Sequence, residues 1–286
     1  MNNILEQMKT EATKLLSSGE VKQVIAWKKG DFPCYPEPAF FTGVKDLENM
    51  VYDKFCSMNL SKYAIEASKQ PERTLIFLRP CDSFGFNQLL NENQVSREKF
   101  YVIGVSCEGS VAVNEGEETG LLESCLSCTK TTHAVLDELI EFEFDKTDAL
   151  PRFAEVERLE GLTELERYEF WQAELSKCIR CNACRNVCPT CHCKKCVFDN
   201  TTYDTAQRAN VTTFEEKMFH IVRAYHVAGR CTDCGQCSRV CPQDIPLHLL
   251  NRKFIKDINE FYGENPNALT TFNIDGDVEP RNGGIS

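Results

Sequence analysis

The chain has 286 residues, enough for one large or two modest domains, and carries a formal net charge of -11. That acidity disfavours nucleic acid as a partner, and no apolar run approaches a membrane span, the longest being short segments such as Leu75 to Leu78. The seventeen cysteines are an odd number, and Met1 to Leu16 read without a secretory start, so the expectation is reduced sulfur in the cytoplasm rather than a disulfide framework.

In chain order, β-rich runs alternate with helical patterns through the first half, which predicts an α/β amino-terminal domain over residues 1–145. Ile4 to Leu16 reads as a helix, Val21 to Trp27 as a strand and Val44 to Phe55 as a second helix. Thr74 to Leu78 reads as a buried strand, Ser83 to Leu90 as a helix and Tyr101 to Val105 as another strand. The last two strands each run into a cysteine, Cys81 and Cys107, and strand ends are where ligands collect in α/β sheets. Cys125-x2-Cys128 is a short chelating pair that two strand-end cysteines would complete to a four-thiolate site.

Residues 146–176 form an acidic helical connector, with Thr163 and Glu166 as a capping box. Its Leu165, Tyr168, Trp171 and Leu175 stripe reads as core rather than as a cofactor box. The next segment, 177–263, contains Cys178-x2-Cys181-x2-Cys184-x3-Cys188-Pro189 and the same spacing at Cys231-x2-Cys234-x2-Cys237-x3-Cys241-Pro242. Such a doubled run is the spacing of a two-cluster ferredoxin and predicts an α+β, ferredoxin-like dicluster domain. Three closely spaced thiolates hold one cubane and the fourth, before proline, turns to the other. One 4Fe-4S cluster is thus assigned to Cys178, Cys181, Cys184 and Cys241, and the second to Cys231, Cys234, Cys237 and Cys188. Structural zinc also uses C-x2-C pairs, but the doubled run with its prolines argues against it. Lys177, Arg180, Arg185, Lys194 and Lys195 occur without an acidic residue up to Cys196 and read as local compensation of thiolate charge.

Between the two runs lies an insertion in which Thr213 and Glu216 cap a helix bearing Phe214, Met218, Ile221 and Tyr225 on one face. His220 and His226 on it read as hydrogen-bonded structural residues. A last helix runs over Arg252 to Tyr262, and the polar segment 264–286 is either a loose tail or an arm that orders against a partner subunit. Cys191-x-Cys193-x2-Cys196 places three thiolates within six residues. They are either redox-inactive or three ligands of a further cluster, for which Cys56 is the first candidate fourth ligand and Cys34 the second.

Arg79-Pro80-Cys81-Asp82, Ile103-Gly104-Val105-Ser106-Cys107 and Cys125-Leu126-Ser127-Cys128 resemble the cysteine-bearing stretches of the β-subunit family of deazaflavin-reducing hydrogenases and formate dehydrogenases. The resemblance implies a 4Fe-4S cluster on Cys81, Cys107, Cys125 and Cys128, beside a flavin. Arg180 to Pro189 resembles the appended dicluster region of the formate dehydrogenase-like members, and His226-Val227-Ala228-Gly229-Arg230-Cys231 resembles the entry to the second cysteine run in heterodisulfide reductase-type iron-sulfur subunits. The chain departs from the flavin-containing relatives at Gln7 to Leu16, which has no glycine, and at Tyr52 to Asn59, which carries Cys56. The expectation is therefore a chain without FAD. It is a cytoplasmic iron-sulfur electron-transfer subunit of an anaerobic multi-subunit oxidoreductase, passing single electrons between partner flavoprotein and iron-sulfur subunits. The alternative is an FAD-containing β-subunit exchanging hydride with a deazaflavin or nicotinamide coenzyme.

Overall fold

Ile4, Met8, Ala12 and Leu15 recur three or four residues apart and form the buried stripe of helix α1 (Asn2–Ser18). The computed structural model describes residues 2–32, 34–114, 116–128, 132–142, 149–194, 196–198 and 214–263. The chain divides into two compact units, Met1–Leu150 and Pro151–Ser286.

The strands of the first unit are β1 (Gln23–Lys28), β2 (Glu37–Phe41), β3 (Met50–Val51), β4 (Thr74–Leu78), β5 (Phe100–Val105), β6 (Val111–Asn114), β7 (Glu117–Leu121) and β8 (Glu138–Ile140). The main sheet has the order β2-β1-β4-β5-β8, with β3 also paired to β1, while β6 and β7 form a separate hairpin. Strands β1, β4, β5 and β8 run parallel, and β2 and β3 are antiparallel to β1. This is a mixed α/β unit built on a parallel sheet. Every residue of β4 is buried, and β5 is buried at all but Tyr101, as a parallel strand covered on both faces requires. Short helix α2 (Ala64–Ala67) precedes β4, α3 (Pro80–Asn91) crosses from β4 to β5, and α4 (Glu123–Leu126) follows the hairpin.

Val44 to Phe55 is not the helix its apolar spacing predicts. A six-residue 3-10 segment spans Val44–Asn49, after which Met50 and Val51 pair with Lys28 and Trp27 of β1. Only Leu47 of that segment is buried, so a longer helix would have gained little, whereas the β1 edge offered ladder partners. Strand β2 has no counterpart among the strands read from the sequence; it is an edge strand, where Pro38 is tolerated.

The second unit contains α5 (Ala154–Glu160), α6 (Glu164–Ser176), α7 (Ala183–Val187), α8 (Phe214–His226), α9 (Gln236–Arg239) and α10 (Leu247–Tyr262). Among its described residues there is no strand, so the β part of the α+β expectation is not among them. The capping box of α6 forms as read: Glu166 N–H donates to Thr163 Oγ1 at 3.3 Å, and Thr163 N–H to Glu166 Oε2 at 2.8 Å. The stripe behind it is shorter than the spacing suggests, because Leu165 and Tyr168 are exposed while Leu175 is buried with Trp171 against it. Helix α5 packs Val156 and Leu159 on Leu249 of α10. Lys195, Thr213, the side chains of Phe214 and Glu216, and the 264–286 segment lie outside the described residues.

One charged pair fixes the strand ends of the first unit. Arg79, the residue before α3, is 3% exposed and binds the fully buried Asp82 through Nε at 2.9 Å and Nη2 at 3.1 Å. Its other donors go to the Cys56 carbonyl, to Ser110 Oγ at 3.2 Å, and to the carbonyls of Ser57 and Met58 at 3.3 and 3.1 Å. The guanidinium also lies 5.1 Å from the Trp27 ring centre. Arg79→Met should cost about 3–5 kcal/mol, because Asp82 is left buried without its partner. Adding Asp82→Leu should restore only part of this, since the carbonyls of Cys56, Ser57 and Met58 each still lose the Arg79 donor; urea midpoints of the full-length variants check both statements.

Candidate metal centres

The two cysteine runs of the second unit share a backbone device. In the first run, Arg180 and Asn182 flank Cys181 with φ of 58° and 62°; in the second, Asp233 and Gly235 flank Cys234 with φ of 54° and 69°. Three of these four residues are not glycine, and left-handed backbone there carries a cost of about 1–2 kcal/mol each. The left-handed residues curl the chain around the central cysteine and aim successive N–H groups inward, a concavity suited to anionic groups. Helices α7 and α9 start directly after each device and pack on one another. The second device is pinned from outside by Arg152 and Arg252, whose Nε atoms each bind Asp233 at 2.8 Å.

Amide and hydroxyl donors reach several of the sulfurs. Arg180 N–H donates to Cys178 Sγ at 3.3 Å, Asn251 Nδ2 to Cys237 Sγ at 3.7 Å, and Thr190 Oγ1 lies 3.2 Å from Cys188 Sγ. Cys178, Cys184 and Cys237 are buried in one core cluster with Leu175, Phe219, Ile245 and Leu247, and Cys241 packs against it. Cys184 is within electrostatic reach of Cys237, Cys178 and Cys181, and Cys231 is within reach of Cys234 and Cys188. Burial pushes the Cys184 thiol up to about 12, and Cys231 and Cys237 upward as well, so these thiols keep their protons at pH 7 until a metal ion takes the sulfur and the proton is released to solvent. Soft sulfur donors, curled backbone and N–H groups facing sulfur all fit 4Fe-4S groups.

Helix α8 adds two residues that cysteine spacing does not reveal. Arg223 is buried and donates from Nη2 to the Cys184 carbonyl at 3.0 Å. His220 is 2% exposed, and neither ring nitrogen has a hydrogen-bond partner among the described residues, unlike the hydrogen-bonded role expected for it. Burial, then Arg223 and Arg180, push His220 down to about 4, so the imidazole is neutral at pH 7. His226 is exposed. The pairing signal for His220 and Arg223 was their separation by three residues, one helical turn.

In the first unit, Cys81 sits in the first turn of α3, Cys107 follows β5, Cys125 lies in α4, and Cys128 N–H donates to the Cys125 carbonyl at 3.2 Å. The turn after Cys107 joins two of them: Gly109 N–H donates to Cys107 Sγ and Ser110 N–H to Cys125 Sγ, both at 3.3 Å. Gly109 has φ of 104°, and a Cβ there would meet Leu121 at 3.1 Å and the Cys125 Cβ at 3.4 Å. Arg79 is within electrostatic reach of Cys81 and Cys107. Tyr52, Cys56, Arg79, Cys107 and Ser110 help line a cavity of about 10 Å³, room for a single water.

Cys56 is buried in the same unit, where its sulfur lies 3.4 Å from Asp53 N and 3.6 Å from Asp53 Oδ1, and burial followed by the Asp53 charge raises its thiol pKa. Cys34 is half-buried with φ of 64°. Cys191, Cys193 and Cys196 belong to the second unit; Cys191 N–H donates to the Cys188 carbonyl at 3.2 Å, and Cys193 is exposed. Among the described residues, no three Cys, His, Asp or Glu side chains converge tightly enough to hold a single metal ion.

Residues 174–245 match the 4Fe-4S dicluster domain family, so the second unit carries a dicluster domain. Over nearly its whole length the chain is also similar to named proteins. It is 21% identical to the F420-dependent formate dehydrogenase subunit beta of Methanocaldococcus jannaschii, covering 91% of this chain and 92% of that protein. It is 23% identical to the F420-dependent formate dehydrogenase 1 subunit beta of Methanococcus maripaludis, covering 94% and 91%. A chain of the F420-reducing NiFe hydrogenase complex from Methanosarcina barkeri aligns over 46% of this chain and 63% of its own, with 11% identity and a TM-score of 0.35. The dicluster match and the two formate dehydrogenase relatives together support an iron-sulfur electron-transfer subunit of an oxidoreductase. No helix among the described residues is long and apolar enough to cross a membrane.

Gly109→Ala should strain the turn by about 1–3 kcal/mol and displace the N–H groups that face Cys107 and Cys125. If the first unit's cysteines hold a cluster, the expected result is loss of that iron while the second unit keeps its own, read by iron per chain and by the cluster absorbance that remains.

Proposed function

We propose that this chain relays single electrons as the iron-sulfur subunit of an anaerobic, cytoplasmic oxidoreductase of the formate dehydrogenase type, between flavoprotein and iron-sulfur partner subunits. The observation that carries the reading is the repeated left-handed pair around Cys181 and Cys234 within the dicluster match. Bound 4Fe-4S clusters supply one-electron oxidation and reduction. The chain's own part is to bury the sulfurs, direct N–H groups at them and exclude water, as the Cys178 and Cys237 surroundings do.

One ligand set is Cys178, Cys181, Cys184 and Cys241, and the other is Cys231, Cys234, Cys237 and Cys188. The proximity of Cys188 to Cys231 and Cys237 supports the crossed arrangement. Cys81, Cys107, Cys125 and Cys128 are proposed for a third cluster, supported by the Gly109–Ser110 turn that serves both Cys107 and Cys125. Cys191, Cys193 and Cys196 are proposed as three ligands of a fourth. The lack of glycine from Gln7 to Leu16 and the presence of Cys56 within Tyr52 to Asn59 support a chain that does not itself hold FAD. The second reading, an FAD-containing β-subunit exchanging hydride, is favoured by the names of the relatives, and flavin content separates the two.

Anaerobic purification with iron, acid-labile sulfide and flavin analysis tests the proposal. The dicluster domain alone should give about eight iron atoms per chain, the third centre about twelve and the fourth about sixteen, at four per cubane. Zinc in place of iron would sink the redox reading, and stoichiometric FAD would replace the relay with the hydride-exchanging subunit. Cys188→Ala should remove or alter the cluster held by Cys231, Cys234 and Cys237 and leave the other intact. Unchanged electron paramagnetic resonance signals from both would refute the crossed assignment.

A further inference from the structure

Helix α8 carries a charge into the core of the second unit that no carboxylate among the described residues answers. Arg223 is 5% exposed, its Nε has no hydrogen-bond partner among the described residues, and none of their ion pairs includes it. An unpaired buried guanidinium is costly unless other negative charge lies close by. Arg223 Nη2 is bonded to the Cys184 carbonyl at 3.0 Å, and Cys184 of one ligand set and Cys237 of the other share a core cluster with Phe219, one turn back on α8. Cys188 and Cys191 are also within electrostatic reach of the guanidinium. His220, one turn earlier, is neutral and adds no second charge.

We propose that Arg223 is a fixed countercharge shared by both dicluster centres, one that raises their reduction potentials. The inference rests on the iron-sulfur reading above and assigns to one side chain a role in it. An added electron makes a thiolate-ligated centre more negative, so a nearby desolvated cation stabilises the reduced form more than the oxidised one. Because Cys184 and Cys237, from different ligand sets, lie in one core cluster against α8, one residue acts on both centres. Its bond to the Cys184 carbonyl keeps the charge in place.

The test uses full-length Arg223→Gln, Arg223→Met and Arg223→Lys, purified anaerobically, with iron and sulfide per chain and a redox titration followed by electron paramagnetic resonance. The neutral variants should be harder to reduce at both centres, by about tenfold in the reduced-to-oxidised ratio at fixed potential, which is about 59 mV for a one-electron couple. Arg223→Lys should stay close to wild type. Should the neutral variants fail to load iron while Arg223→Lys loads fully, the dependence on charge is shown at assembly and the proposal stands. Wild-type potentials in the neutral variants would overturn it, as would equal loss of iron or equal shifts in all three. Wild-type protein without clusters would instead defeat the iron-sulfur reading, so the two failures are distinct.

Discussion

Metal-bound cysteine sulfur is anionic, and each unit sets a buried arginine within electrostatic reach of its cysteine sulfurs. The two arginines do so in opposite ways. Arg79 is matched by Asp82 and spends its remaining donors on the backbone of Cys56, Ser57 and Met58 and on Ser110. Its electrostatic contribution is largely cancelled within its own pair, and what remains is a clamp on the loops that present Cys56, Cys81 and Cys107. Arg223 has no such match, makes one bond to a ligand-bearing turn, and leaves its charge to the sulfurs around it. The first arrangement yields geometry and the second yields potential.

Backbone strain follows the same division. In the second unit it sits at Arg180, Asn182 and Asp233, side chains that a left-handed position disfavours, and Asp233 is held there by two arginines. In the first unit the tight place is given to a glycine, Gly109, whose missing side chain lets one turn serve two cysteines from different elements. A run of closely spaced cysteines wraps its own ligand and needs curled backbone. Cysteines drawn from α3, from the end of β5 and from α4 instead need the fold to deliver them.

What was legible in the sequence was what local forces decide. The apolar run of β4, the stripe of α1 and the capping box of α6 each depend on residues a few positions apart, and each appears close to where its pattern places it. Met50 and Val51 depart from their apolar spacing because pairing with β1 decides their conformation, and β2 carries no local strand signal because Pro38 suits a strand only at an edge. The cysteine spacing was legible as chemistry. Arg79, Arg223 and His220 were not legible as parts of the sites, because a polar side chain acquires such a role only when packing removes its water. No local pattern reports which arginine will be desolvated.

The edges of the first unit's sheet have a consequence for how anything can attach to it. At one end lies β2, where Pro38 has no N–H to offer; at the other lies β8, a ledge of three residues with Glu138 and Leu139 exposed. Neither end presents the long row of free donors and acceptors on which an incoming chain could template itself. Growth of the ladder from outside is disfavoured at both, which guards against fibrous self-association and leaves recognition of this unit to the shape and charge of its side chains.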